Sequence, residues 1–388
     1  MASGQKKFMI ELPLKIILTE VGTSFFISKK TKLLRFKLAD NADEYGIAFT
    51  KFSPQSIQRM ILLDYVSKIE ISMSEFVSKR QEVMDLSKII VYSILYKQFD
   101  RELFFELVKL DCVQKHNRAN PSRIIDEETV INDKQLKEMI SRSGAVIENL
   151  RKYILAPIWD EIAKSKDFSN EEKNIYLLMS EKFLNRLGLL NWYIILLFRS
   201  GNGLAEIIEA VRKLLKTYLE KSHIAEYISV MLMELALGSE NKNICNAAKE
   251  MYPEESDIEM LVLNPEVRSK IVERLESLGQ VVFLSWKLGG TSMAIGRQGR
   301  LQITLYNKNN EFQKSKDVIE ARRLADTHKK NLADFYREMP EGEAGVDLGL
   351  YYLSYLDDAC KKIGIKFKSL VNQFTDSDLM VIDLVFHF

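Results

Sequence analysis

Cysteine and histidine are both scarce in this chain of 388 residues, at three and four copies. Cys112, Cys245 and Cys360 lie far apart with no CxxC pair. That spacing argues against a disulfide framework and against a structural zinc site. His116, His223, His328 and His387 show no HxxxH or HExxH spacing, so no metal centre is expected. Charge of one sign is missing too. The formal net charge is +1, which gives no global field toward nucleic acid or an acidic membrane. The local basic run Lys29, Lys30, Lys32, Arg35 and Lys37 reads as a solvated strand face. Long apolar runs are absent as well. The longest, Leu189 to Phe198, is about half the roughly 20 residues that span a bilayer, and it reads as a buried helix. Glu11, Pro13 and Lys15 interrupt the N-terminal apolar stretch, which therefore lacks a signal-peptide core. The expectation is a cytoplasmic protein with no membrane span and no nucleic-acid partner.

What is present is the balance of a globular protein, 46% hydrophobic and 28% charged, in a chain too long for one ordinary core. The first fifty residues read as β-structure in FMIELPLKIIL, TSFFISK and KLLRFKLA, with DNADEYG as a turn cluster. Ser53 and Pro54 suit an N-cap and first helical position. Ile57, Met60, Ile61, Tyr65 and Ile69 then carry helical spacing onward to about residue 110. The polar residues 114–134 read as an exposed connection, and helical pattern returns from about 133 to 198. SGNG at 200–203 marks a second boundary. No internal repeat is evident.

Beyond it, helices are expected at 204–219, 223–237 and 264–278, the last with Asn264 as N-cap and Pro265 behind it. Strands follow at 281–288 and 301–306, then helical stretches at 314–337 and from Gly345, then strands at 365–371 and 379–388. The fold class is α+β: a short β segment, a mostly helical N-terminal and middle region, and a C-terminal α/β sandwich. Three regions are drawn: residues 1–113, a helical connector or dimerisation region at 133–200, and 204–388.

Three short motifs fall at informative places in that order. Glu234-Leu235 lies on a helix; Asn307 and Asn309 stand at and beyond the end of a strand; Gly345-Val-Asp347-Leu-Gly349-Leu opens a helix. A helix N-terminus with small residues is a ready anion site. Without further context each is unremarkable: a solvated glutamate, turn asparagines, a GxxxG contact. Two other stretches draw a bland reading. LGGTSMAIGRQGR joins two strands and lacks GxxxxGK, so it reads as a hairpin connection. The cations of EARRLADTHKKN (Arg322, Arg323, Lys329, Lys330) are interspersed with acid and read as a solvated helix face. No Ser/His/Asp or Cys/His set can be assembled.

In order and rough spacing, ELALG, YNKN and GVDLGL resemble the nucleotide-binding boxes of the GHKL (Bergerat-fold) domains of sensor histidine kinases, gyrase, heat-shock chaperones and mismatch-repair proteins. The resemblance covers about the last 165 residues. The order of elements itself predicts a mixed sheet covered by helices on one face; the resemblance adds a water-activating role for Glu234 and nucleotide contacts at Asn307, Asn309, Gly345, Asp347 and Gly349. It also implies departures. Gly238 replaces the magnesium-binding Asn; Asn307 stands for the adenine-reading carboxylate and Asn309 for a glycine; Asp347 would repel polyphosphate. No cofactor follows from these residues with confidence: ATP or ADP would bind weakly, and magnesium lacks its usual ligand. His223, on the helix of Glu234, and His116, in a polar loop, are wrongly placed for phosphoacceptors. The leading expectation is a non-catalytic signalling or regulatory protein, with a protein partner or as a homodimer, whose degenerate module serves as a protein or weak nucleotide-binding platform. Its rivals are an active ATP-binding protein, in which Asn243 or Asn241 compensates for Gly238, and a purely structural interaction protein.

Overall fold

The computed structural model describes residues 9–37, 43–126, 133–166, 168–201, 203–289, 299–308, 346–374 and 379–388. Two compact units emerge, and they do not follow chain order. The first joins Met1–Ile94 to Ile224–Phe388, and the second is Leu95–His223. The three consecutive regions drawn from the sequence are thus regrouped, because the N-terminal strands and the C-terminal strands build one sheet.

In the first unit the order is β1 (Leu14–Leu18), α1 (Glu20–Ser28), β2 (Leu34–Lys37), β3 (Asp43–Phe49), α2 (Pro54–Leu62), β4 (Val66–Met73) and α3 (Arg80–Lys109), which crosses into the second unit. The second unit adds α4 (Asp111–Ala119), α5 (Asp133–Arg142), α6 (Gly144–Lys164), α7 (Asn170–Arg186), α8 (Leu189–Leu197) and α9 (Gly203–Ser222). The first unit resumes with α10 (Ile224–Met251), α11 (Ile258–Val262), α12 (Pro265–Ser277), β5 (Val281–Gly289), β6 (Arg300–Lys308), α13 (Val346–Lys362), β7 (Lys366–Phe374) and β8 (Leu379–His387). The fold class is α+β.

All eight described strands join one sheet in the order β2-β3-β1-β4-β5-β6-β8-β7. Every described pairing is antiparallel, where the order of elements predicted a mixed sheet. The order is symmetric about the β4–β5 ladder. β1-α1-β2-β3 on one side has the strand arrangement of β6-α13-β7-β8 on the other, and α2 precedes β4 as α12 precedes β5. This topological repeat is invisible in the sequence.

Side-chain alternation gives the sheet two different faces. On one, two apolar rows cross the strands: Ile16, Ile69, Trp286, Ile303 and Leu384, and Leu14, Ile71, Leu284, Leu305 and Ile382. None is more than 2% exposed. At about 2 kcal/mol for each fully buried aliphatic side chain, these rows are the main stabilising layer of the unit. α10 packs on β5 and β6, and α13 packs on β7 and on α10. The other face carries polar residues of the same strands, Lys68, Glu70, Lys287, Gln302 and Asp383 among them, with Phe283 stacked on Tyr306 farther along.

Several local readings change in the structure. TSFFISK, read as a strand, forms most of α1. Thr19 caps that helix by accepting from the Gly22 N–H at 3.1 Å, and the cap overrides the β propensity of the aromatic run. DNADEYG, read as a turn, contributes the start of β3. α2 starts as expected, with Ser53 accepting from Ser56 N and Pro54 behind it, but ends at Leu62. Asp64 there has φ of 58°, so the chain reverses and Ile69 lies in β4 instead of a helix. α4 occupies the first part of the supposed polar connection, so His116 is helical. The four C-terminal strands and the α12 cap at Asn264 fall where the sequence placed them.

The second unit is helical among its described residues, with Phe99, Leu103, Phe183, Ile195, Leu215 and Tyr218 in its core. The partly buried Asp100 accepts from Gly188 N at 2.7 Å and from Asn191 Nδ2 at 2.9 Å at the start of α8. A Cβ on Gly188 would lie 2.6 Å from Asp100 Oδ2, so a larger residue there would have to push that carboxylate away from its donors.

Candidate functional site

α10 is an unbroken helix through Gly238. At 100° per residue, Asn243 is nine positions past Glu234 and therefore on the opposite side of the helix, whereas Asn241 returns to nearly the same side. Asn243 cannot compensate for Gly238 beside Glu234, which corrects that expectation. Gly238 itself is exposed, with open space where a Cβ would sit.

Glu234 faces α3. Its Oε1 accepts from Arg80 Nη2 at 3.0 Å, and its side chain is only a quarter exposed. The same pair of helices is joined a few turns away by Glu226, which meets Lys88 Nζ at 2.5 Å and accepts from Tyr92 at 3.3 Å. Glu234 thus belongs to a row of polar contacts that ties α10 to α3.

Asn307 sits on β6 opposite Val282, on the face of the apolar rows. Its Oδ1 is buried and has no hydrogen-bond partner. No hydrogen bond or ion pair joins it to Glu234. α13 begins at Val346, which puts the backbone of Asp347 and Gly349 in its first turn; Asn309 and Gly345 lie outside the described residues. α13 reaches α10 through Tyr355, whose ring meets Tyr227 edge-on at 4.9 Å and whose hydroxyl donates to that of Tyr227 at 3.3 Å. His223 lies in the turn between α9 and α10, not on the helix of Glu234, with its ring edge-on to Tyr176 at 4.8 Å.

One strong polar constellation escaped the sequence reading. The Glu240 side chain is 1% exposed. Its Oε2 accepts from the backbone N–H of Phe76 and, at 3.1 Å, of Val77, just ahead of α3; its Oε1 pairs with Arg268 of α12. Arg268 also approaches Glu75 at 3.5 Å. Burial pushes the Glu240 carboxyl above its ordinary value against the pull of those donors. A signal existed: Leu232, Ala236 and Glu240 recur at intervals of four, and the first two are core residues. This carboxylate clamps the start of α3 to α10 and α12, which is a structural role.

The thiols are not poised for chemistry. Burial, then Glu206, raises Cys112 to about 11; burial, then Asp357, raises Cys360 to about 12; burial also raises Cys245.

A family model for a family of unknown function, DUF8084, matches residues 5–388. The chain belongs to the DUF8084 family. A relative, an uncharacterized protein of Treponema pallidum (strain Nichols), is 34% identical over 389 residues, covering 100% of both chains. No solved structure matches this DUF8084 protein. Among its described residues, no helix is long and apolar enough to cross a membrane.

Proposed function

We propose that this protein is a non-catalytic regulatory or signalling protein of the cytoplasm, working as a binding platform for another protein. The observation that carries this is the engagement of Glu234. One oxygen of this carboxylate, Oε1, already accepts from Arg80 at 3.0 Å, which aims the group at α3 and favours a helix-tying role over activation of water. The far-side position of Asn243 leaves Asn241 alone of the two substitute metal ligands, and burial raises all three thiols, which disfavours cysteine chemistry. Exposed apolar side chains on and around α1, among them Val21 at 58% and Ile27 at 61%, supply surface of the kind that protein partners cover.

One observation favours a nucleotide on the same platform: the buried, unpartnered Oδ1 of Asn307 could accept from an exocyclic amino group. A fluorescent ATP analogue titrated with and without magnesium, alongside a phosphate-release assay, tests both. The platform reading expects no turnover above background and, at most, weak binding that ignores magnesium. Magnesium-dependent turnover that Glu234→Ala abolishes would overturn it.

A further inference from the structure

Strand register gathers cations that are scattered in sequence. Lys68, Lys287, Gln302, Val385 and Lys368 form one row across β4, β5, β6, β8 and β7. Two residues along the same strands lies a second row, Gly289, Arg300, His387 and Lys366. Directly paired residues, and residues two apart on a strand, share a face, so all of these side chains belong to the polar face, opposite the apolar rows.

The two described acids on β4 and β8 beside these rows are already used. Glu70 pairs with Lys68 at 2.5 Å; Asp383, 5% exposed, accepts from Thr304 at 2.6 Å and from Gln302 at 3.2 Å. Lys287, Arg300, Lys366 and Lys368 are exposed, and none forms an ion pair with a described residue. His387, paired with Arg300 and Lys366, stands among them: burial first, then Arg300, Lys368 and Lys366, push its imidazole below the ordinary value. With strands about 4.8 Å apart and same-face residues about 7 Å apart, the four cations cover roughly 15 by 7 Å.

We infer that this end of the polar sheet face binds an acidic segment of a partner protein. A strip of that size fits a short extended peptide whose alternate carboxylates meet the lysine ammonium groups, with Arg300 able to grip one in a two-pronged fashion. Nucleic acid fits less well. The whole chain carries only +1, and the two rows contain no Phe, Tyr or Trp on which a base could stack. A membrane surface fits less well too, because the apolar member of the rows, Val385, is 9% exposed and offers nothing to insert.

The assignment rests on reading the chain as a binding protein, yet its test is separate: ATP turnover would sink that reading and leave the peptide result standing. The full chain is titrated against a fluorescein-labelled Glu-rich peptide at low and high ionic strength, with a single-stranded oligonucleotide and phosphatidylserine vesicles as comparison probes. Peptide binding that weakens with salt is expected. The combined changes Lys287→Glu, Lys366→Glu and Lys368→Glu should cost roughly tenfold or more in affinity, from three surface ion pairs. Reversing Lys152, Lys242 and Lys249, exposed on α6 and α10, should leave affinity within about twofold if pairing is local at a Debye length near 10 Å. The milder Lys→Gln set at the same three sheet positions, checked by circular dichroism, separates lost binding from lost folding and should weaken binding less. Absence of peptide binding, indifference to the sheet variants, or tighter binding of the oligonucleotide or vesicles would each overturn the inference.

Discussion

Arg212 on α9 fills the hydrogen-bonding gap that Pro157 opens in α6. Proline has no N–H, so the carbonyl of Tyr153, four residues earlier, loses its helical donor. Arg212 Nη2 donates to that oxygen at 2.6 Å, and Nε donates to the carbonyl of Ile154 at 3.3 Å. The guanidinium also lies over the Tyr153 ring at 5.2 Å.

Replacing Arg212 with Ala should therefore destabilise the protein by about 1–2 kcal/mol, and by clearly less in a Pro157→Ala background, where α6 can satisfy Tyr153 itself. Urea denaturation of the four proteins in the double-mutant cycle measures the coupling. An equal cost in both backgrounds would show that the two residues are independent.

Glu240 supplies a prediction with a defined sign. Burial, the largest influence, raises its carboxyl above 4.5, while the N–H groups of Phe76 and Val77 and the charge of Arg268 pull downward. The folded protein thus holds this proton more tightly than the unfolded chain. The resulting stability is fully present below the unfolded value and is lost as pH rises through the folded one. Relative to Glu240→Gln, the wild type should gain stability on going from about pH 7 to about pH 5, read from denaturation midpoints. Glu240→Ala, which strands Arg268 and two backbone donors, should cost about 3–5 kcal/mol. A pH-independent difference from the Gln variant would count against the assignment.

His387 tests the crowding of cations on the sheet face without any ligand. Changing Lys366 and Lys368 to Gln removes two of the three charges that hold its imidazole low, leaving burial and Arg300. The midpoint of the ring-proton titration, followed by NMR, should move up toward 6.5 but stay below it. If the midpoint stays where it was, the two lysines are not close enough to form one cationic strip.

How much was legible can be judged residue by residue. The alternation of Leu301, Ile303 and Leu305 identified β6, because a strand writes its two faces into nearest-neighbour order. Asn264 followed by Pro265 located α12 for an equally local reason: a cap and a fixed φ act within one turn. The β reading of α1 failed where a single capping contact at Thr19 outweighed aromatic propensity. Of the site candidates, Glu234 was recognised as a helical residue, but its partner Arg80 is 154 positions away, and no local pattern could announce it.

The amino-acid order alone settled the class of most elements, the caps that start α2 and α12, and the alternation that makes each C-terminal strand two-faced. Those follow from steric and hydrogen-bonding rules that act over a few residues. The tertiary structure alone decided which strands are neighbours, that the first and last parts of the chain share one sheet, and that Lys287, Arg300, Lys366 and Lys368 stand together. Register between distant strands depends on the packing of whole apolar faces against their helices, a free energy that no short window of sequence contains.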